Sequence, residues 1–389
     1  MGAMKFSIVI PYKDRLANMS LALESLSHQT LPTDEFEVVV GVMENSPQYA
    51  QLCRKFENRL NIVSVVSAKK WQLGLARNMA MRLSSGQIIV LLDADMVLPD
   101  EFLVRLWNEH YSNGENQCVV GQMIDYSNND TDVTVVDHHP YNHYKDRLEA
   151  VQAKGPGESD LRLQFDHIIP WAYAWTALIA LPRESVERHE LTFDLNFWGY
   201  GVEDLEWAHR ISAAGIPIVM SRSAFGIHLP HVRSLADNKK AEAVNYRYFV
   251  KKWPSIEVEL AACFGDFEAN QLINPLRQEL DQLLETGKSF ASVCATRGEV
   301  RSLYLGALIS ADGSLEGLPE AEPNETREAY PLIGLALPFG DKSFHDVITL
   351  APVRGLSHNY RKAVQSEAIR VCEKTNATEL NFAAHTHSL

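Results

Sequence analysis

The chain has 389 residues, enough for about two domains, and its formal net charge of −14 argues against general nucleic-acid binding. No stretch approaches the ~20 apolar residues that span a bilayer. The five cysteines show no C-x-x-C spacing and indicate neither disulfides nor zinc. No apolar signal segment opens the chain, and Met1-Gly2-Ala3 ahead of Met4 reads as a cloning remnant, so a cytoplasmic protein is expected.

Phe6-Ser7-Ile8-Val9-Ile10-Pro11 predicts an apolar strand halted by its proline, with Tyr12-Lys13-Asp14-Arg15 after it. Leu16, Met19, Leu23 and Leu26 then recur at helical spacing. Residues 37–42 predict a second strand, ending near Glu44-Asn45-Ser46, and residues 61–66 a third. Gly74-Leu75-Ala76-Arg77-Asn78 opens another helix. The unbroken apolar run Ile88 to Leu92 predicts a strand buried on both faces, and Asp93-Ala94-Asp95 follows it. Two carboxylates at the exposed end of such a strand can turn toward one ion, and a hard divalent cation takes oxygen ligands of this kind. An acidic turn is the alternative. Alternating strands and helices predict an α/β fold around a mostly parallel sheet with right-handed crossovers. Ligands of such sheets bind beyond the carboxyl ends of the strands. Residues 11–15, 44–46 and 93–95 all fall there.

Residues 125–164 read as a polar insertion, a candidate substrate lid, through Ser127-Asn128-Asn129-Asp130, Asp137-His138-His139-Pro140 and Lys154-Gly155-Pro156-Gly157. His138, His139 and His143 read as solvated loop residues rather than metal ligands. Trp171, Tyr173 and Trp175 alternate as on a strand, either offering ring faces to a ligand or filling core. Gly199-Tyr200-Gly201 is a turn that admits close backbone approach, and Glu203-Asp204 follow in the first turn of a helix through Leu205, Ala208, Ile211 and Ala214. Capping is the alternative role for one of these acids. A strand over residues 216–220 leads toward His228-Leu229-Pro230-His231. Residues 239–253 form a basic, aromatic helix, for packing or for an anionic membrane surface, and residues 272–284 another amphipathic helix. The expected division is 4–235, a helical extension 236–290, and a small α/β unit 295–389 in which residues 300–305 form a strand.

Four pieces in order resemble the family 2 glycosyltransferases, enzymes of the GT-A fold: residues 7–15, residues 74–78, Asp93-Ala94-Asp95, and residues 193–204. The last, Phe193-Asp194-Leu195-Asn196-Phe197-Trp198-Gly199-Tyr200-Gly201-Val202-Glu203-Asp204, is similar to the acidic segment of galactosyl- and N-acetylgalactosaminyltransferase domains, with Tyr200 where tryptophan is usual. The resemblance implies metal-dependent, inverting transfer of a hexose or N-acetylhexosamine from a nucleoside-diphosphate sugar, UDP-linked, to a hydroxyl of a glycan or small molecule. It implies Asp95 and His228 as ligands of Mn2+ or Mg2+, with His231 as the alternative to His228. It implies Asp204 as general base and Glu203 as the sugar-hydroxyl binder. Donor contacts are implied for Pro11, Tyr12, Asp14, Arg15, Gly74, Asp93, Ala94, Trp198 and Gly199, with Glu44 at uracil and Arg77 at diphosphate. For Arg77 an exposed helix cation is the alternative. An inactive sugar-binding scaffold competes with the enzyme, and a homo-oligomer is compatible with the sequence.

Residues 336–348, with Leu337-Pro338-Phe339, resemble a block of class I methyltransferases, and residues 363–371 the helix after it. Only Gly306 stands where a glycine-rich cofactor loop is usual. The expectation is a degenerate unit that does not bind S-adenosylmethionine, with a bifunctional transferase–methyltransferase as the weaker alternative.

Overall fold

The structure, a computed structural model, describes residues 4–125, 132–157 and 159–373. The Ser127-Asn128-Asn129-Asp130 stretch and Met1-Gly2-Ala3 lie outside the described residues. The chain divides into two compact units, Met1–Glu242 and Ala243–Leu389.

The first unit runs β1 (Phe6–Tyr12), α1 (Leu16–Ser27), β2 (Phe36–Val42), α2 (Pro47–Phe56), β3 (Ile62–Val66), α3 (Leu73–Leu83), β4 (Ile88–Leu92), β5 (Met96–Val97) and α4 (Phe102–His110). It continues through β6 (Cys118–Ile124), α5 (Tyr141–Lys154), β7 (Leu178–Pro182), α6 (Arg183–Arg188), α7 (Glu203–Ala213) and β8 (Ile218–His228). The strands form one sheet in the order β3-β2-β1-β4-β7-β6-β8-β5. Pairing is parallel from β3 to β4 and between β6 and β8; β7 and β5 enter antiparallel. Every residue of β1, β2 and β4 is buried, and on one face Ile8, Ile10, Val38, Val40, Val90 and Leu92 pack with Met19, Leu23 and Leu26 of α1 and Phe102 and Leu106 of α4.

Four local expectations are corrected. β1 does not stop at Pro11: its pairing with β4 ends at Val9↔Leu91 while pairing with β2 continues to Tyr12↔Val42. One side of the strand is therefore open where the N–H is missing, a position at which proline is tolerated. The polar insertion contains α5, whose Tyr144 and Leu148 are buried with Phe225, Ile227 and Leu229. Two anchors at i,i+4 spacing suffice once tertiary contacts exist. Pro170–Tyr173 is one 3-10 turn rather than a strand, with Trp171 and Tyr173 both buried. In the second unit the strand begun at Val300 runs on to Ser310, as described next.

α8 (Leu235–Lys252) crosses the division between the units. The second unit continues with α9 (Ile256–Phe264), α10 (Asp266–Leu283), β9 (Lys288–Arg297), β10 (Val300–Ser310), β11 (Leu315–Glu316), β12 (Thr326–Tyr330), β13 (Asp346–Thr349) and α11 (His358–Val371). β11-β10-β9-β12 are antiparallel neighbours, and β13 lies parallel to β10. Gly306 does not end a strand at a cofactor turn: with φ +88 it forms a bulge inside β10, where a Cβ would lie 2.5 Å from Val353. The fully buried Glu259 carboxylate accepts the amides of Ile333 and Gly334 at 2.8 Å and Leu335 at 2.9 Å, satisfying a bend that would otherwise bury bare N–H groups. Among the described residues no helix is long and apolar enough to cross a membrane.

Candidate active site

The carboxyl ends of β1, β2 and β4 bring the amino-terminal motifs to one edge of the sheet. Tyr12 stacks on Tyr49 with ring centroids 4.7 Å apart, and burial followed by nearby Glu44 raises its hydroxyl pKa. Glu44 also accepts the Asp14 amide at 2.9 Å, and Asp14 stands in the left-handed region at φ 54. Pro11 and Ala94 are buried beneath this edge.

Asp95 lies at the turn between β4 and β5, 1 % exposed. Antiparallel pairing of β5 with β8 sets Met96 opposite His228, and the Leu229 amide donates to the Asp95 carbonyl at 2.7 Å. Asn18 donates to the Pro230 carbonyl at 3.1 Å, fixing the bend before His231. One ligand atom from each of Asp95, His228 and His231 therefore falls within 4.8 Å of the others. His231 Nδ1 is 3.0 Å and His228 Nε2 4.0 Å from the Asp95 carboxylate, on which the Arg15 guanidinium also rests. Burial alone would raise the Asp95 pKa, but His231, His228 and Arg15 outweigh it and hold the carboxyl ionised far into acid. Burial lowers the His228 pKa, leaving a neutral imidazole with a lone pair to give. Asp95 Oδ1 is buried without a hydrogen bond, and one carboxylate with two imidazoles is a donor set that suits a borderline divalent cation.

Arg77 is no exposed helix cation. It is 1 % exposed, and its two terminal nitrogens reach Asp93 at 3.1 Å and Glu203 at 3.0 Å. One guanidinium thus joins the acid pair after β4 to the acid pair that opens α7. Burial works against its charge, yet Asp93 and Glu203 keep it protonated. α3 also grips the intervening segment: Gln72 donates to the carbonyls of Leu195 and Phe197, and Asn78 exchanges two hydrogen bonds with the Phe193 backbone. Gly74 allows this contact, since a Cβ there would lie 3.0 Å from that of Phe193. Gln72 and Asn78 have no assigned role in the sequence reading; their signal is polarity on a helix face that is otherwise buried.

The turn before α7 has Gly199 and Gly201 at φ +81 and +80 and then Val202 at φ 74, an unusual conformation for a β-branched residue. Trp198 and Tyr200 are 50% and 37% exposed, and Lys70 lies 5.6 Å over the Trp198 ring. Glu203 is buried; burial and the neighbouring Asp204 push its carboxyl up to about 7 against the pull of Arg77. Burial also raises Asp204, while Arg77 and the amides of Leu205 and Thr176 favour its charge. Glu242 of α8 stands over Gly201, its pKa raised by burial and then by Asp204.

Residues 7–162 match the family model described as Glycosyl transferase family 2. That match makes this part of the first unit similar to a family 2 glycosyltransferase domain. Validoxylamine A glucosyltransferase of Streptomyces hygroscopicus subsp. jinggangensis is 26% identical over 409 residues, 94% of either chain, so the glycosyltransferase likeness extends through both units. Poly(ribitol-phosphate) beta-N-acetylglucosaminyltransferase TarS of Staphylococcus aureus is 32% identical over 113 residues, covering 28% of this chain and 20% of that protein. Among solved structures, mannosyltransferase PcManGT from Pyrobaculum calidifontis, in complex with GDP-Man and Mn2+, covers 73% of this chain and 77% of its own at TM-score 0.48 and 15% identity. The protein is an α/β glycosyltransferase, with a mostly parallel sheet in its first unit and an additional, largely antiparallel sheet in its second.

Proposed function

We propose that this glycosyltransferase moves a hexosyl or N-acetylhexosaminyl group from a UDP-linked donor to an acceptor hydroxyl with inversion, in a metal-dependent reaction. The observation that carries this reading is the Arg77 bridge between Asp93 and Glu203, which joins a donor-side acid pair to an acceptor-side one. Asp204 takes the acceptor proton as the hydroxyl oxygen attacks the anomeric carbon from the face opposite the departing diphosphate. Glu203, held by Arg77, accepts a sugar hydroxyl, and the exposed Trp198 and Tyr200 offer rings for stacking. A divalent cation, Mn2+ or Mg2+, held by Asp95, His228 and His231 would offset the charge that gathers on the leaving diphosphate. EDTA should abolish UDP release from UDP-sugars, and Asp95→Ala should lose metal-dependent UDP binding while its melting temperature stays near that of wild type. Full activity in EDTA would sink this reading; UDP binding with no turnover of any sugar would favour the scaffold.

The acceptor is a neutral polyol or an amine-bearing sugar analogue. Glu203, Asp204 and Glu242 crowd the base, with Arg77 among them as a buried cation. Of the acceptors in the relatives' names, this acidic setting favours validoxylamine A over poly(ribitol-phosphate), a polyanion. Cytoplasmic location belongs to the same reading, supported by five unpaired cysteines.

The second unit serves packing or partner contact and binds no S-adenosylmethionine. Its support is Gly306, which sits in a bulge against Val353 rather than in an open turn. Titration of the full chain with this cofactor should give no heat of binding; a micromolar dissociation constant would promote the bifunctional alternative.

A further inference from the structure

Arg162 is completely buried at the end of the polar insertion, in the 3-10 turn Leu161–Gln164, and contacts neither acid pair. Its guanidinium reaches Asp160 at 2.6–3.2 Å, the Tyr173 carbonyl at 2.9 Å and the Gly121 carbonyl at 3.0 Å, and it lies 4.6 Å over the Trp175 ring. Asp160 in turn accepts the Met123 amide at 2.8 Å, so the ion pair is bolted to β6. Such a charge costs much to bury and is retained where its fork fixes several partners at once.

What Arg162 fixes is the stretch leading into β7. Immediately beyond Tyr173 and Trp175, the Thr176 amide serves the Asp204 carboxylate, and the Ala177 carbonyl accepts the Asp93 amide at 3.0 Å. The Trp171 ring packs edge-on against His209 of α7, with centroids 5.6 Å apart. One short run of backbone therefore touches both acid pairs, and its near end is held by Arg162.

We propose that Arg162 is a positioning residue for the transfer reaction, acting through residues 173–177 to place Asp204 for proton abstraction. The proposal rests on Asp204 being the base. A misplacement of about 1 Å in a reacting group costs on the order of a hundredfold in rate, whereas the donor side, although Ala177 holds the Asp93 amide, rests also on Arg77 and on the ends of β1 and β2 and should change far less.

The test is a double-mutant cycle on the full chain, with UDP release as the assay. Arg162→Lys should lower kcat about 10- to 100-fold, leaving donor KM and UDP affinity within about threefold of wild type. In the Asp204→Asn background the same change should have no further effect on kcat, because the group it positions is gone. Effects that multiply in the double variant would overturn the proposal and leave Arg162 a packing residue. A normal rate for Asp204→Asn alone would instead overturn the base assignment. If Arg162→Lys does not fold, Trp175→Leu removes the ring platform without stranding a charge and should show the same split and the same masking by Asp204→Asn; a wild-type kcat in that variant counts against the proposal.

Discussion

Asp204→Asn should lower kcat about a thousandfold while donor KM changes by less than about threefold. An amide fills the same space at the start of α7 and its carbonyl oxygen can still accept the Leu205 amide, but it cannot take the acceptor's proton. Glu203 and Asp204 are buried together and titrate as a pair. With Glu203 at about 7, kcat/KM should climb as pH rises toward neutrality, and Glu203→Gln should move that limb to lower pH by removing the neighbouring charge. The sign for stability is opposite. Because the Glu203 pKa is raised on folding, its contribution is complete below its usual 4.5 and is lost as pH rises through about 7. A loss in kcat below tenfold for Asp204→Asn, or a flat pH profile, would remove Asp204 from the role of base.

Arg77→Met should abolish measurable transfer and cost about 3–5 kcal/mol of folding stability, because it strands buried acids without their counter-ion. Asp93 and Glu203 both lean on this one group. Arg77→Lys should fold but turn over poorly, since an ammonium cannot present two forked donors to two carboxylates. Adding Glu203→Gln to Arg77→Met should restore part of the stability and none of the rate. Urea unfolding and UDP release on the same preparations measure both quantities. Unfolding of Arg77→Met within about 1 kcal/mol of wild type would show that the bridge carries little of the proposed load.

Much of the first unit was legible because its strands are apolar without interruption. Ile88 to Leu92 appears as β4 with the bounds its composition suggests, and the polar clusters at the ends of β1, β2 and β4 share one edge. The pairing that draws His228 to Asp95 was not legible, because β5 is two residues long and has no periodicity to detect. α5 was hidden by the polarity around Tyr144 and Leu148, whose partners lie far away in sequence. The burial of Arg77 and Arg162 was hidden for a related reason: what offsets such a charge is a carboxylate or carbonyl on another segment, and composition does not reveal it. Gly306 was misplaced because a lone glycine in an apolar run signals a turn and a bulge equally well.

The two-residue strand β5 has a consequence for how the protein matures. Side chains alternate between the faces of a strand, so a slip of β8 by one residue against Met96 would turn His228 away from Asp95. The three donors exist together only in a sheet that has closed in the correct register. A chain with β8 so shifted would lack the complete donor set, and a ligand that grips all three side chains would favour the native register by mass action.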